Sequence, residues 1–366
     1  MIEQSVRPEM LDFDPYVAGL SIEEIRERFG LTEIVKLASN ENPLGTSPLA
    51  RKAAAAALER AFRYPITGCP RLVQALAAQL DLPEAMIVAG NGSDEIIDLL
   101  FRVKARPGRD HVICYEHSFS MYRLTAKLCG VGYREVPRGE KLALPLDGLA
   151  EVAGDDTAMV FVTTPDNPSG HTARAEELAV LAGVLPKNAL LVLDEAYMDF
   201  SWPPEDFTLL PLAREFPNVV ILRTFSKAYG LAGLRLGYGI MPEWLAEYVR
   251  RARIPFTVNL AAEEAGIAAL TDEAFYLSTL DVVLKGREYL FKELSRLGCE
   301  PTPSQANFLM FKPPVEAQRV FEELLERGVI VRWLKSFGLP GHIRVSVGTA
   351  RENAIFVRAL EAVLGR

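Results

Sequence analysis

Residues 158–197, AMVFVTTPDNPSGHTARAEELAVLAGVLPKNALLVLDEAY, contain two short apolar runs on either side of a stretch with helical periodicity. The runs AMVFV (158–162) and ALLVL (189–193) are aliphatic and do not alternate with polar residues, as is typical of strands covered on both faces. Between them, apolar residues recur at the three- and four-residue spacing of one helix face: Leu178, Leu181 and Ala182. The stretch predicts a strand–helix–strand unit of a parallel sheet.

The same alternation extends in both directions and predicts an α/β domain with a doubly wound, mostly parallel sheet. The other predicted strands of this sheet are MIVAG (86–90), HVICY (111–115), NVVIL (218–222) and LGYGI (236–240). After Pro242 the pattern changes to longer helices, predicted over 242–252, 259–270, 273–297, 315–327 and from Arg351 onward. Three further strands are predicted among these helices: NFLMF (307–311), VIVRW (329–333) and IRVSV (343–347).

The change of pattern predicts two domains, which agrees with a chain of 366 residues at about 150 residues per domain. We assign residues 31–250 to a large α/β domain. We assign residues 1–30 and 251–366 to an N-terminal arm and a smaller α+β domain.

The composition excludes several classes of protein. Lys and Arg number 40 against 48 Asp and Glu, a balance opposite to that of proteins that bind nucleic acid. No apolar run approaches the roughly 18 residues that span a bilayer, and no secretory leader is apparent, so we expect a cytoplasmic protein. The four cysteines contain no C-x-x-C pair and the four histidines lack ligand spacing, so we expect neither structural disulfides nor a metal site.

Ligands of open α/β sheets bind beyond the carboxyl ends of the strands, where three loops carry polar groups. Asn91-Gly92-Ser93-Asp94 opens a helix and offers backbone N–H groups and a hydroxyl to a phosphate, although a plain N-cap would look the same. Two X-Pro steps hold Asn167 in the stretch 164–170, which a simple turn would also explain. Asp194 ends the apolar run 189–193, where a carboxylate is costly unless it is paired or hydrogen-bonded.

One lysine, Lys227, stands between two apolar runs in the stretch TFSKAYG (224–230). Desolvation disfavours the ammonium form of a lysine in such surroundings, which makes the amine a usable nucleophile. Arg235 follows eight positions later. The alternative is a lysine that extends to the surface and stays charged.

Together these loops supply the groups that hold pyridoxal 5′-phosphate: a phosphate cradle, an Asn, an Asp, a Lys and an Arg at one crevice. Lys227 would attach the cofactor covalently. Asp194 would keep the pyridine nitrogen protonated so that the ring accepts electrons. A nicotinamide cofactor is disfavoured because no G-x-G-x-x-G follows the early strands.

Over essentially its whole length the chain resembles the fold-type I, class II pyridoxal-phosphate-dependent aminotransferases, and among them the histidinol-phosphate aminotransferase family. The matching motifs are Asn40-Glu41-Asn42-Pro43-Leu44-Gly45, Arg63-Tyr64-Pro65, the loop 91–95, Asn167-Pro168, Asp194–Tyr197, Ser226-Lys227 with Arg235, and Ile343–Thr349. The resemblance implies catalytic roles for Lys227, Asp194, Tyr197 and Asn167. It implies cofactor contacts from these four and from Gly92, Ser93, Asp94, Phe119, Ser226 and Arg235.

The resemblance also implies a homodimer in which Tyr64 reaches into the site of the second subunit. Two residues depart from the family pattern. Phe119 stands where the family stacks a tyrosine on the cofactor, which keeps the stacking but removes a hydroxyl. Asp166 stands where the family commonly has a second asparagine, a difference that concerns the turn and not the chemistry.

Alternation in IRVSV directs Arg344 away from the apolar face of its strand, and Arg332 is placed in the same way in VIVRW. The resemblance implies that these two arginines, with Tyr16, grip a substrate phosphate, and that Asn42 belongs to the substrate site. A pair of guanidinium groups suits a phosphate. Two ordinary surface arginines on edge strands are the alternative.

The activity that the resemblance implies is transfer of an amino group between L-histidinol phosphate and 2-oxoglutarate, with glutamate as the other amino acid, in histidine biosynthesis. An aromatic amino acid aminotransferase and a threonine-phosphate decarboxylase on the same scaffold remain alternatives. A non-catalytic cofactor-binding regulator is disfavoured because the chain has no spare segment for a basic DNA-binding module.

Overall fold

A computed structural model of the chain describes residues 5–11, 13, 15 and 19–365. The strands, in chain order, are β1 (Val35–Lys36), β2 (Ile87–Gly90), β3 (His111–Tyr115), β4 (Gly132–Val136), β5 (Thr157–Thr163), β6 (Leu190–Asp194), β7 (Val219–Thr224), β8 (Gly237–Ile240), β9 (Glu300–Pro301), β10 (Phe308–Lys312), β11 (Val329–Ile330), β12 (Arg332–Trp333) and β13 (Ile343–Ser346).

The helices, in chain order, are α1 (Pro8–Leu11), α2 (Ile22–Phe29), α3 (Pro48–Ala57), α4 (Pro70–Leu80), α5 (Ser93–Lys104), α6 (Met121–Cys129), α7 (Leu146–Val152), α8 (Ala175–Val184), α9 (Glu243–Ala252), α10 (Leu260–Leu270), α11 (Glu273–Arg296), α12 (Ala317–Glu326) and α13 (Ala350–Leu364). No helix within the described ranges is long and apolar enough to cross a lipid bilayer.

The large sheet has the strand order β2-β8-β7-β6-β5-β3-β4, and only β8 runs antiparallel to its neighbours. The predicted mostly parallel sheet is therefore confirmed, and helices cover both faces as the apolar strands require. Thr163 at the end of β5 pairs in register with Asp194 at the end of β6. The carboxyl ends of the central strands thus reach the same edge of the sheet.

One strand of this sheet, β4, has no counterpart in the prediction. It is an edge strand, and most of its residues are exposed or partly exposed. A strand with a polar, solvated face lacks the apolar run that identified the buried strands.

The smaller domain contains the sheet β12-β13-β10-β9, which is antiparallel, and a separate parallel pair of β1 with β11. The predicted strand 329–333 is therefore two short strands. Val329 and Ile330 pair with β1, whereas Arg332 and Trp333 pair with β13. Side chains from β10, β13, α12 and α13 form the core of this domain.

The two hydrophobic cores divide the chain at a point different from the predicted boundary at residue 250. Helix α10 packs on α3, and its residues Ala262, Ala265 and Ala269 belong to the core of the large domain. Gly266 of α10 also packs closely on the large domain, since a Cβ there would lie 2.4 Å from the side chain of Leu236. At the other end, Val35 belongs to the core of the small domain.

Helix α2 of the predicted N-terminal arm packs on the small domain. Ser21 caps the helix through its hydroxyl, and Glu24 completes a capping box. Ile25 is buried together with Ala38 and Ile330. Helix α2 is therefore anchored to the small domain through Ile330 and to the chain segment around Ala38.

Gly230 provides a test of the packing around the segment 224–230. Its φ is +66°, and a Cβ there would lie 1.9 Å from the carbonyl oxygen of Gly45. We expect Gly230→Ala to lower the free energy of unfolding by about 2–4 kcal/mol, because backbone strain adds to the overlap. Denaturant unfolding measures this loss.

The matched control is Gly183→Ala in α8, where a Cβ would have no neighbour within 4 Å. Since Gly183 is exposed in a helix, this variant should be neutral or about 1 kcal/mol more stable. Equal stabilities of the two variants would contradict the packing described for Gly230.

Candidate active site

A cavity of about 230 Å³ lies at the carboxyl ends of β5, β6 and β7, between the large sheet and strands β12 and β13 of the small domain. The structure brings together at its wall most of the predicted site residues: Ser93, Asp94, Phe119, Asn167, Asp194, Tyr197, Ser226, Lys227, Arg235, Arg332 and Arg344. Tyr16 lies outside the described residues.

Lys227 follows β7 and is partly buried at the centre of this wall. Its Nζ donates a hydrogen bond to the carbonyl oxygen of Ser39 at 3.2 Å and lies 5.7 Å from the ring centroid of Tyr197. Burial lowers the pKa of Lys227 to about 8, and the positive charge of Arg344 acts in the same direction. At pH 7 about a tenth of the amine is therefore uncharged and nucleophilic, far more than at the ordinary pKa of a lysine.

Asp194 is buried at the end of β6. The hydroxyl of Tyr122 donates to Oδ2 at 2.7 Å, and the backbone N–H of Ala196 donates to Oδ1 at 3.2 Å. Burial raises the pKa of Asp194 to about 6, although both hydrogen bonds favour the carboxylate. A cation placed beside this carboxylate would be strongly stabilised.

Tyr122 is a site residue that the sequence did not single out. It stacks on Phe161 at a centroid distance of 4.5 Å and is fully buried, so its sequence pattern is that of an ordinary core residue. Only its hydroxyl, which contacts both Thr163 and Asp194, shows a role in the site.

The predicted phosphate cradle is formed by the start of α5 and by Arg235. Gly92 precedes the helix at φ +78°, and no side chain caps the helix N-terminus. A Cβ on Gly92 would lie 2.7 Å from Nη2 of Arg235, and a Cβ on Gly237 would lie 2.5 Å from the amide nitrogen of Ser93. The close approach of these backbones leaves helix N–H groups beside a guanidinium, which is a site for an anion.

Two further predicted residues, Ser226 and Asp94, line the cavity on this side. Ser226 lies between Phe225 and Lys227, and its amide donates to the Thr224 hydroxyl at 3.1 Å. Asp94 pairs with Arg235 at 3.2 Å. Burial raises the pKa of Asp94, and the positive charge of Arg235 opposes this shift by stabilising the carboxylate.

The hydroxyl of Tyr197 accepts hydrogen bonds from two amides, Nδ2 of Asn40 at 3.1 Å and Nδ2 of Asn167 at 3.4 Å. Asn40 stands in the matched motif 40–45 but was given no role by the sequence. Its own amide and carbonyl groups bind Ser346, so it connects the site to the small domain. The phenol of Tyr197 is thereby held over the cavity.

Asn42 does not line the cavity in this structure. Its Nδ2 donates to the carbonyl oxygens of Lys227 at 3.3 Å and Ala228 at 2.9 Å, and its Oδ1 accepts from the amide of Leu44 at 2.8 Å. These bonds hold the backbone that carries Lys227. Contact of Asn42 with a substrate stays a prediction.

Arg344 and Arg332 are directly opposite each other on the paired strands β13 and β12, so their side chains lie on the same face. Arg344 is only 6% exposed, unlike the surface arginine of the alternative interpretation. Its Nη1 donates to Oδ1 of Asn167, and its Nη2 donates to the carbonyl oxygen of Ala38 at 2.8 Å. Like charges in this arrangement repel, so an anion between them would be stabilised.

Asp166, which departs from the family pattern, forms a buried ion pair with Arg138 at 2.9 Å. It also accepts hydrogen bonds from the hydroxyl of Tyr115 at 3.0 Å and the amide of Ser169 at 3.1 Å. These contacts hold the turn that carries Asn167. Arg138 thus neutralises the buried carboxylate of Asp166. An uncharged asparagine at this position would not need such a partner.

Tyr64 is 81% exposed and does not line this cavity. It stacks on Phe256 at a centroid distance of 4.8 Å, beside the exposed side chains of Phe62 and Ile66. Phe119 does line the cavity, in edge contact with Tyr122 at 5.6 Å.

The donor set fits pyridoxal 5′-phosphate. The uncapped helix and Arg235 suit its phosphate, Lys227 suits its aldehyde, and the buried carboxylate of Asp194 suits a protonated ring nitrogen. A doubly wound sheet with a reactive lysine at its edge and a small domain closing over it defines the class of fold-type I pyridoxal-phosphate enzymes.

The chain belongs to the family described as aminotransferase class I and II, whose model matches residues 32–360. It is therefore a transaminase.

The chain is 53% identical over 359 residues to histidinol-phosphate aminotransferase of Nitratidesulfovibrio vulgaris (strain Hildenborough), and the match covers 98% of this chain and 96% of the relative. It is 50% identical to the protein of the same name from Oleidesulfovibrio alaskensis, with 98% and 95% of the two chains covered. The crystal structure of histidinol-phosphate aminotransferase from Sinorhizobium meliloti in complex with pyridoxal-5′-phosphate superposes with a TM-score of 0.91 at 27% identity, covering 99% and 98%.

The buried carboxyl of Asp194 predicts a pH-dependent stability of the protein without cofactor. Its pKa is raised to about 6, against about 3.9 for an unfolded chain, so folding is penalised above pH 6 and the penalty disappears below about pH 4. We expect Asp194→Asn to be more stable than the wild type at pH 8, by at most about 3 kcal/mol. The difference should shrink as the pH falls toward 4.

Denaturant unfolding of the two apoproteins across this pH range measures the effect. Asp155→Asn at an exposed position is the control for loss of one negative charge. A destabilised Asp194→Asn apoprotein at pH 8 would contradict the assignment of a desolvated carboxylate.

Proposed function

We propose that the protein transfers an amino group between L-histidinol phosphate and 2-oxoglutarate, with pyridoxal 5′-phosphate as cofactor, in histidine biosynthesis. The observation that carries the substrate assignment is the cross-strand pair of Arg332 and Arg344 at the cavity wall. A phosphate has the charge and the geometry that two guanidinium groups require. The names of the relatives support the same substrate.

The cofactor supplies an electron sink for the charge left when a substrate loses its Cα proton. The residues that would hold it are those of the cradle for the phosphate, and Asp194 for the ring nitrogen. Phe119 would stack on the ring, and Asn167 and Tyr197 would bind its hydroxyl oxygen. Asp194 would hold the proton on the ring nitrogen, because an adjacent positive charge stabilises a buried carboxylate.

Lys227 has two tasks in this proposal. It attaches the cofactor, and once the substrate amine takes its place it removes the proton from the substrate Cα as a general base. A pKa of about 8 suits a group that must both accept and return a proton near neutral pH. Burial and the charge of Arg344 are the causes of this pKa.

The substrate assignment is tested by Arg332→Gln. With L-histidinol phosphate we expect kcat/KM to fall by about 30-fold or more, because truncation of a phosphate-binding guanidinium costs about 2 kcal/mol or more. With L-histidinol, which lacks the phosphate, the loss should be much smaller. Steady-state kinetics with both donors give the comparison.

Lys335→Gln is the control, since it removes a positive charge from the same segment but does not line the cavity. Equal losses for both donors in Arg332→Gln would contradict a phosphate grip. Release of carbon dioxide from threonine phosphate without an oxo acid would instead indicate a threonine-phosphate decarboxylase. A preference for aromatic amino acids would indicate an aromatic amino acid aminotransferase.

The protein is proposed to act as a homodimer in the cytoplasm. Tyr64 and its neighbours Phe62 and Ile66 form an exposed aromatic and aliphatic surface, of a kind that favours association. Tyr64 would contribute its hydroxyl to the phosphate cradle of the second subunit.

Mixed dimers test the role of Tyr64. Lys227→Ala and Tyr64→Ala should each be nearly inactive, yet a dimer of one subunit of each kind contains one site with both intact residues. Random exchange should restore about a quarter of the wild-type activity, since about half the dimers are mixed and half their sites are intact.

Subunits are unfolded together, refolded and assayed, with sedimentation used to measure association. Activity that stays at the level of the separate variants, in a mixture shown to contain dimers, would contradict the assignment of Tyr64 to the second site.

A further inference from the structure

A histidine from the large domain contacts the small domain beside the active site. His117 follows β3, and its Nδ1 lies 2.7 Å from the carbonyl oxygen of Phe337. Phe337 ends a short 3-10 helix, Leu334–Phe337, that packs against Met310 of the small domain. Because a carbonyl oxygen only accepts hydrogen bonds, Nδ1 of His117 carries the hydrogen and donates it.

The backbone on both sides is shaped for this contact. His117 has a φ of +58°, a left-handed conformation that few side chains adopt. Gly338 has a φ of +75°, and a Cβ there would lie 3.0 Å from Nδ1 of His117. The glycine thus leaves the space that the imidazole occupies.

The two joined loops both lead into the cavity. Phe119, two residues beyond His117, and Phe337 line the cavity from opposite domains. Ser336, next to Phe337, accepts a hydrogen bond from Nη2 of Arg332 at 3.2 Å. The imidazole of His117 therefore holds the carbonyl group of Phe337, and the neighbouring Ser336 orients Arg332.

We propose that His117 is a positioning residue for substrate binding: it holds the 3-10 helix so that Ser336 directs Arg332 toward the substrate phosphate. The inference rests on the proposed function of Arg332. Phosphate binding by the small domain is thereby tied to the loop of the large domain that carries Phe119.

A positioning role through Arg332 acts on the phosphate end of the substrate and not on the reacting Cα. Such binding is equal in the ground state and the transition state, so its loss raises KM and leaves kcat nearly unchanged. For His117→Ala we expect kcat/KM for L-histidinol phosphate to fall about 3- to 10-fold, the effect of one lost hydrogen bond. The value for L-histidinol should change little.

His117→Asn is the matched variant. The amide nitrogen of asparagine can donate from nearly the same position as Nδ1, and asparagine tolerates the left-handed backbone. We expect it to recover most of the loss of His117→Ala. A merely structural role of the imidazole ring would not be rescued by this smaller side chain.

The holoenzyme variants His117→Ala, His117→Asn, Arg332→Gln and His117→Ala/Arg332→Gln are compared with both donors. If His117 acts through Arg332, the double variant loses no more activity toward L-histidinol phosphate than Arg332→Gln alone. Additive losses, an equal loss for L-histidinol, or a fall in kcat at constant KM would overturn the proposal.

The two proposals fail in different ways. If Arg332→Gln lowers kcat/KM equally for L-histidinol phosphate and for L-histidinol, the phosphate grip itself is refuted. An Arg332→Gln variant selective for the phosphorylated donor, together with a His117→Ala variant indistinguishable from the wild type, refutes only the role of His117.

Discussion

The hydrogen bonds of the Arg344 guanidinium connect the large-domain half and the small-domain half of the site, and both halves depend on them. Arg344 lies on a strand of the small domain, yet it donates to Asn167 of the large domain and to Ala38 in the segment between the two. Its charge is also the strongest nearby electrostatic influence that lowers the pKa of Lys227. The contact between the domains and the reactivity of the amine therefore both depend on Arg344, because charges interact more strongly in a buried site than in bulk water.

Charges of both signs line the cavity. Arg332 and Arg344 supply positive charge at the small domain, and Arg235 with the start of α5 supplies it at the cradle. Asp194 is buried at the end of β6 and accepts a hydrogen bond from the hydroxyl of Tyr122. A cavity with these groups suits a ligand that carries both anionic groups and a cationic nitrogen. Such a nitrogen beside Asp194 would offset the desolvation of the buried carboxylate.

Elements with a strong hydrophobic pattern in the sequence were predicted accurately, and elements with a weak pattern were not. The buried parallel strands were predicted within two residues of their observed limits, because short aliphatic runs without polar alternation are typical of strands covered on both faces. The edge strand β4 was missed for lack of such a run, and 329–333 was predicted as one strand although its halves join different sheets. Helix α10 was placed in the wrong core, because alanine-rich helices have no strongly apolar face to show which core they pack against.

The sequence by itself predicted the α/β fold, the lysine, the carboxylate and the glycine-containing cradle from local residue type and spacing along the chain, and the roles of the two arginines from the family resemblance. Only the tertiary structure decided that Asn42 holds the backbone of Lys227, that Tyr122 binds Asp194, and that His117 meets Phe337. These contacts join residues as far as 220 positions apart. A hydrogen bond depends on distance and direction in space, and no pattern along the chain records which distant atoms folding brings within reach.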